Sequence, residues 1–519
     1  MRFSMFVIAL AVAAPAAAET AEHATATAIK RVEDLNPRLN AVIALDPTAL
    51  TQARALDRMR RARGPLFGMA MLIKDNIETA GPLATTAGSM ALAANVSGRD
   101  APLVASLRAA GAVILGKTNL SEWANIRSSA SISGWSAVGG QTRNPHALDR
   151  NPCGSSSGSG AAVASGMVDA AIGTETDGSI TCPASVNGIV GLKPTVGLVS
   201  RSRVVPISHS QDTPGPMTTD VRTAARVLTA IAGSDSADPA TAKADSHRVD
   251  YAAGLDASAL KGARIGVMRF VGGWSPAVQA RFEAALAVLK AQGATLVDIA
   301  ELKGRDKIGD AELTVLLTEL KADLNTYLAS TPAAVKTRTL ADVIAFNRTQ
   351  PREMALFGQD LFEAAEKTSG LADPKYIEAR ALSLRLAGAD GIDALLAANK
   401  VEALVAPTMP PAWKIDAVNG DQGTGSGPAA LAAVAGYPHL TVPMGAVRGL
   451  PVGLSLIGPA WSEARLLALG FAYEQASRAR VRPAMVESVE RSGDLAPLLS
   501  PSAVAARRVG SDKPAETPR

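Results

Sequence analysis

The stretch Leu66-Phe67-Gly68-Met69-Ala70-Met71-Leu72-Ile73 runs straight into Lys74-Asp75-Asn76. An apolar run of this length without alternation suits a strand buried on both faces, as in sheets covered by helices. The polar triplet then sets a lysine where a buried strand meets a loop. After a helical stretch at 101–110 the pattern returns as Ala112-Val113-Ile114-Leu115-Gly116. Further strands are predicted at 168–172, 263–270, 401–406, 439–444 and 451–457. Helices are predicted at 158–166, at 462–477 and most clearly after Ser275. There Ser275 is the N-cap, Pro276 the first helical residue, and Val278, Phe282, Leu286 and Leu289 share a face before Gly293. Residues 300–400 also read as largely helical. Residues 19–62 do too, with Val32, Leu35, Leu39, Val42 and Ile43 at helical spacing and Pro37 interrupting them. Residues 128–160, rich in Ser, Gly and Asn, read mostly as loop. Strands alternating with helices predict an α/β fold.

Around this frame the composition is that of a globular protein. The 519 residues are 47% hydrophobic and 19% charged, and aromatics at 4% leave the core to Ala, Val, Leu and Ile. A net charge of +4, from 52 basic and 48 acidic residues, is too even for a phosphate-binding face, so no nucleic acid partner is expected. The basic run at 58–63 reads as a solvated helix face. At the start, Arg2, an apolar run at 3–14 and Ala16-Ala17-Ala18 before Glu19 have the layout of a secretory signal peptide. The run is too short to span a bilayer. The expectation is a secreted or periplasmic protein: signal peptide 1–18, one domain over 19–490, and a poorly ordered tail at 491–519. No stable membrane insertion is expected after cleavage. Cys153 and Cys182 are the only cysteines, so no disulfide framework holds the fold. Two buried thiols are favoured over a bridge.

Three features bear on chemistry: Lys74, the run Gly154-Ser155-Ser156-Ser157-Gly158-Ser159-Gly160, and Gly173-Thr174-Glu175-Thr176-Asp177-Gly178-Ser179. A serine hydroxyl needs a base to act as a nucleophile. None of the five histidines (His23, His146, His209, His247 and His439) lies in a run that announces that role. A buried lysine can supply it, because desolvation favours the neutral amine. Glycines beside a nucleophile let backbone N–H groups approach a developing oxyanion.

Taken together, Gly154-Ser155-Ser156, Asp177-Gly178-Ser179 and Lys74-Asp75-Asn76 resemble the amidase-signature family. Ser155 and Ser179 are 24 residues apart, the family's spacing between its two serines. Lys117-Thr118-Asn119, Gly191-Leu192-Lys193-Pro194-Thr195, Gly215-Pro216-Met217 and Pro451-Val452-Gly453-Leu454 also fit. The resemblance is strong over 65–230 and moderate over 400–475. It implies a single large domain with a mixed, mostly parallel sheet covered by helices on both faces. It also implies a Ser–cis-Ser–Lys triad: Ser179 as acylated nucleophile, Ser155 as bridging serine after a cis peptide, Lys74 as neutral base. Backbone N–H groups of Thr176, Asp177 and Gly178 would form the oxyanion hole. Glu175, Asp177 and Thr181 stand where Asp, Gly and Arg are frequent. The serine-rich block with residues 174–183 is most like the peptide amidase branch, which implies release of ammonia from C-terminal peptide amides or related carboxamides, with small aliphatic or aryl amides the nearest competitors. Residues 300–400 carry no family motif and are expected to shape the substrate pocket.

Rival readings remain. Gly154-Ser155-Ser156-Ser157-Gly158 also fits the Gly-x-Ser-x-Gly elbow of an α/β-hydrolase esterase, with Ser156 as nucleophile and His439 as base. Ser258-Ala259-Leu260-Lys261 fits the Ser-x-x-Lys pattern of penicillin-recognising enzymes, without their other motifs. A non-catalytic amide-binding homologue is disfavoured because all three triad positions are filled. A glutamine-amidase subunit of a transfer complex is disfavoured by the export signal. No cofactor or metal is expected, since the chain has no His-x-x-x-His, Cys-x-x-Cys or compact carboxylate set with ligand spacing.

Overall fold

A computed structural model describes residues 20–59, 64–423 and 427–501. The expected signal peptide at 1–18, residues 60–63 of the basic run, and residues 502–519 of the expected tail lie outside the described residues. Among the described residues, no helix is long and apolar enough to cross a membrane.

Strands β1 (Val42–Leu45), β2 (Ala70–Lys74) and β3 (Val113–Thr118) come first in the chain. A small ribbon of β4 (Trp135–Ser136) and β5 (Gly140–Gln141) stands apart. Then follow β6 (Ala170–Glu175), β7 (Val190–Lys193), β8 (Thr213–Thr218), β9 (Arg264–Met268) and β10 (Thr295–Ile299). The last are β11 (Ala403–Pro407), β12 (His439–Val447) and β13 (Leu450–Ile457). Apart from the ribbon they form one eleven-stranded sheet, in the order β1-β3-β2-β6-β8-β7-β12-β13-β11-β9-β10.

The sheet is mixed, as expected, but its parallel share is smaller than expected. Pairing is parallel in β3-β2-β6 and in β11-β9-β10. It is antiparallel across the centre and at β1. The cause is local: β12 and β13 are a hairpin turned at 448–449, and β8 returns beside β6 and β7 without a crossover helix.

The run that opened the reading is buried on both faces. Met71 and Ile73 enter the apolar layer under helices Pro102–Ala109, Val221–Ile231, Pro276–Ala291 and Glu463–Ser477. Leu72, on the opposite face, joins the layer under helices Ala21–Leu39, Ala49–Asp57 and Ser157–Ser165. One reading is corrected at the start: Val42 and Ile43 belong to edge strand β1. Asn40 adopts the left-handed conformation (φ 52°, ψ 41°) and ends the helix before them. Residues 300–400 are largely helical as expected, with Ile308–Ala329 the longest helix among them. That region packs its own apolar cluster against Ala87, Leu92, Trp123, Val205 and Ile207.

Candidate active site

Because β2 and β6 run parallel and adjacent, their C-terminal ends open at the same edge of the sheet. This is where α/β sheets place ligands. Lys74 ends β2, and Thr174 and Glu175 end β6. Lys74 is fully buried. Its Nζ lies 2.7 Å from Ser155 Oγ, 2.8 Å from Thr174 Oγ1 and 3.3 Å from the Thr174 carbonyl. Asn76 Nδ2 donates to the same Thr174 hydroxyl at 2.9 Å. Burial pulls the Lys74 pKa down to about 7, against the opposing pull of Asp212 and Glu175. A neutral amine has two N–H donors and one lone pair. Thr174 offers two acceptors, and the third neighbour is the Ser155 hydroxyl, which can donate into the lone pair.

The Gly154–Ser155 peptide is cis. The Ser155 carbonyl accepts from Ser121 N at 3.1 Å. Ser156 N–H donates to the Ser179 carbonyl at 3.1 Å, tying the two serine segments together. Ser179 is only 8% exposed, and among the described residues its hydroxyl has no hydrogen-bond partner.

The loop at 176–178 is shaped from outside. Thr176 Oγ1 donates to Asp212 Oδ1 at 2.6 Å, and Gln211 Nε2 donates to the Thr176 carbonyl at 3.2 Å. The Gly178 carbonyl accepts from Cys182 N at 2.8 Å. Glu175 Oε2 accepts from Ile180 N and Thr181 N at 2.8 and 2.9 Å. Gly178 sits at φ 75°, a conformation that disfavours any side chain. None of the hydrogen bonds among the described residues uses the N–H of Thr176, Asp177 or Gly178. These donors are therefore free for an anionic oxygen.

Asp177 is open to solvent yet hemmed in by protein on its other sides. That loss of hydration, with Glu312 and Glu175 nearby, raises its carboxyl well above the ordinary range. Glu312, on helix Ile308–Ala329, accepts from Gln211 Nε2 at 2.7 Å. Asp212, Gln211 and Glu312 were not singled out in the sequence. Thr174 and Asn76 lie inside the quoted motifs, and their nearness to Lys74 and Ser155 was the available signal.

The cysteine expectation is corrected. Cys153 and Cys182 form a disulfide with Cα atoms 6.0 Å apart, because the folded loops bring positions 29 residues apart within bridging reach. The rivals lose their geometry. Ser156 Oγ is taken up by the Thr174 backbone, donating to its carbonyl (3.0 Å) and accepting from its N–H (3.2 Å). His439 pairs with Ser455 Oγ, and burial, with Lys193 adding to it, drives its ring down to about 3. Ser258 and Lys261 are exposed, with Ser258 bound to Asp256. His209 lies between Asp323 and Glu319, the only grouping among the described residues with the spacing of a metal site. Glu319 already accepts from the Ser208, Ser210 and Tyr376 hydroxyls, which makes this an ion-pair network.

The amidase family model matches residues 23–467. The chain belongs to the amidase family. This amidase is 38% identical over 472 residues to a probable amidase of Arabidopsis thaliana, covering 88% of this chain and 87% of that one. In structure it is similar to the native peptide amidase of Stenotrophomonas maltophilia. That match has 51% identity and a TM-score of 0.84, over 90% of this chain and 95% of the other. It is equally similar to a peptide amidase in complex with the competitive inhibitor chymostatin, with 52% identity and a TM-score of 0.85, over 90% and 96% of the two chains. The amidase hydrolyses carbon–nitrogen amide bonds.

Proposed function

We propose that this amidase deamidates C-terminal peptide amides through an acyl-enzyme on Ser179, and that residues 1–18 direct its export. The observation that carries the chemistry is the buried Lys74 amine, its Nζ 2.7 Å from Ser155 Oγ and 2.8 and 3.3 Å from the two Thr174 oxygens. Lys74 draws the proton of Ser155 as Ser155 draws that of Ser179. The Ser179 oxygen adds to the carboxamide carbon. The resulting oxyanion is held by the N–H groups of Thr176, Asp177 and Gly178. As the C–N bond breaks, the relay returns the proton to nitrogen and ammonia leaves. Water then adds to the Ser179 ester, losing its proton along the same path, and the carboxylic acid is released. The peptide-amide subtype is supported by the 51% identity to a peptide amidase and by the resemblance of the serine-rich block to that branch.

The test is ammonia release from a panel of peptide amides, simple alkyl and aryl amides, and internal peptide bonds. Peptide amides should be turned over fastest and internal bonds left intact. Ser179→Ala and Lys74→Ala should each lower kcat/KM by about a thousandfold or more, within the range of nucleophile and base removals. A Lys74→Ala enzyme that keeps most of its activity would remove the lysine from the mechanism.

A further inference from the structure

We propose that the Cys153–Cys182 disulfide is the positioning element of the serine relay, so that this amidase becomes competent only after the pair is oxidised. This rests on the relay reading above. The bridge joins the two segments that carry the hydroxyls and flanks both serines in sequence. Cys153 precedes Ser155 by two residues, and Cys182 follows Ser179 by three. Cys153 is held in the left-handed conformation (φ 57°), its N–H bound to Asn151 Oδ1 at 2.8 Å and its carbonyl to Ser157 Oγ at 2.6 Å. Cys182 lies in the first turn of helix Thr181–Asn187, its N–H bound to the Gly178 carbonyl beside Ser179. The noncovalent ties between the two segments include Ser156 N–H to the Ser179 carbonyl and Asn187 Nδ2 to the Pro152 carbonyl at 2.9 Å. Such bonds tolerate shifts of a few tenths of an ångström. A proton relay between hydroxyls does not, and a misplacement of about 1 Å can cost about a hundredfold in rate.

The bridge is also sealed. Both cysteines are 5% exposed and pack with Val186, Ala412, Met409 and Trp413. Oxidation therefore accompanies folding, and the closed protein resists reductants. With two cysteines in the chain, one intramolecular pairing exists. The reaction is thiol–disulfide exchange with a disulfide-bearing oxidant. One thiolate attacks the oxidant to give a mixed disulfide, and the second displaces it. Two electrons leave in the dithiol form of the oxidant, and the two cysteine protons go to solvent.

The test uses the full chain. The Cys153→Ala/Cys182→Ala variant should keep KM within about threefold. Its kcat, and its rate of Ser179 labelling by phenylmethanesulfonyl fluoride, should fall about tenfold or more. Wild type refolded under dithiothreitol should have the low kcat of the double variant, and oxidised glutathione should restore activity in step with the loss of free thiols. Equal kcat and labelling rate in the double variant, with only a lower melting temperature, would reduce the bridge to a staple and overturn the proposal. Full activity of the refolded wild type before any thiol is lost would do the same, and decides the matter if the variant does not fold. Failure of the oxidised wild type to label at Ser179 would instead sink the relay reading, whatever the cysteines do.

Discussion

At Lys74 the protonation state decides what the contacts can do. Thr174 can receive two N–H groups, and on the proposed relay Ser155 passes its proton into the amine's lone pair. A third proton on the amine fills that lone pair, so only the neutral form works. Its pKa is lowered to about 7, which fixes the sign: the working fraction rises as pH climbs through about 7 and levels off above it. A plot of log kcat/KM for a neutral amide should therefore have an acid limb of unit slope that bends near that pH. Asp212 is the larger of the two charges that oppose the lowering. Replacing it by Asn removes a charge that favours the ammonium, so the bend should move to lower pH. Rate profiles of the native enzyme and Asp212→Asn on one substrate check both statements. A bend that stays in place when the Asp212 charge is removed would mean that another group titrates there.

Among the elements, helix Ser157–Ser165 shows how closely backbone must approach to hold the site. Gly158 N–H donates to the Asn119 carbonyl at 2.9 Å. A Cβ at Gly158 would stand 2.2 Å from the Ala41 carbonyl oxygen and 2.6 Å from that of Asn119. Both obstacles are backbone, so the helix would have to move, and Ser155 and Ser156 precede it directly. Gly158→Ala should cost about 1–3 kcal/mol of stability, as overpacking does. It should also lower kcat more than KM, measured by denaturant unfolding alongside steady-state kinetics. Elements such as β2 and β3 were legible in the sequence because burial on both faces leaves an uninterrupted apolar run. β8 was not: Pro214 and Pro216 argue against a strand within a sheet. They are tolerated because β7 pairs only with Met217 and Thr218, leaving the other flank of 214–216 without a ladder. β1 was misread because four residues of strand next to a helix extend its apparent periodicity. The Lys74–Ser155 contact was legible because each residue sits in a short local motif. The disulfide was not, since bridging depends on a Cα distance that only the fold supplies.

Over the whole molecule, the helical region at 308–366 docks on the sheet domain through carboxylates as well as through its apolar cluster. Glu353 accepts from Ser89 Oγ and Met90 N, and Asp360 from Ser128 Oγ and Ser129 N. Glu319 receives Ser208 and Ser210, and Asp323 receives His209. Such partners are far apart in the chain, which is why this region offered no motif. The docking carries Glu312 to the loop at 176–178, where Gln211 joins its carboxylate to the Thr176 carbonyl. Burial raises the Glu312 pKa, and the charges of Glu312 and Glu175 help raise that of Asp177. The surroundings of the loop at 176–178 thus already disfavour a further negative charge. A substrate whose acyl part carries a carboxylate near the scissile amide adds one more, and like charges confined together are disfavoured. Glu312→Gln keeps an acceptor for Gln211 and removes one charge. It should raise kcat/KM about tenfold for amides with an acidic side chain at the scissile residue, while neutral amides stay within about threefold. Ammonia release from matched neutral and acidic peptide amides, at a pH above the Lys74 bend, measures the ratio. An equal change for both substrates would mean that Glu312 serves only as a brace for Gln211.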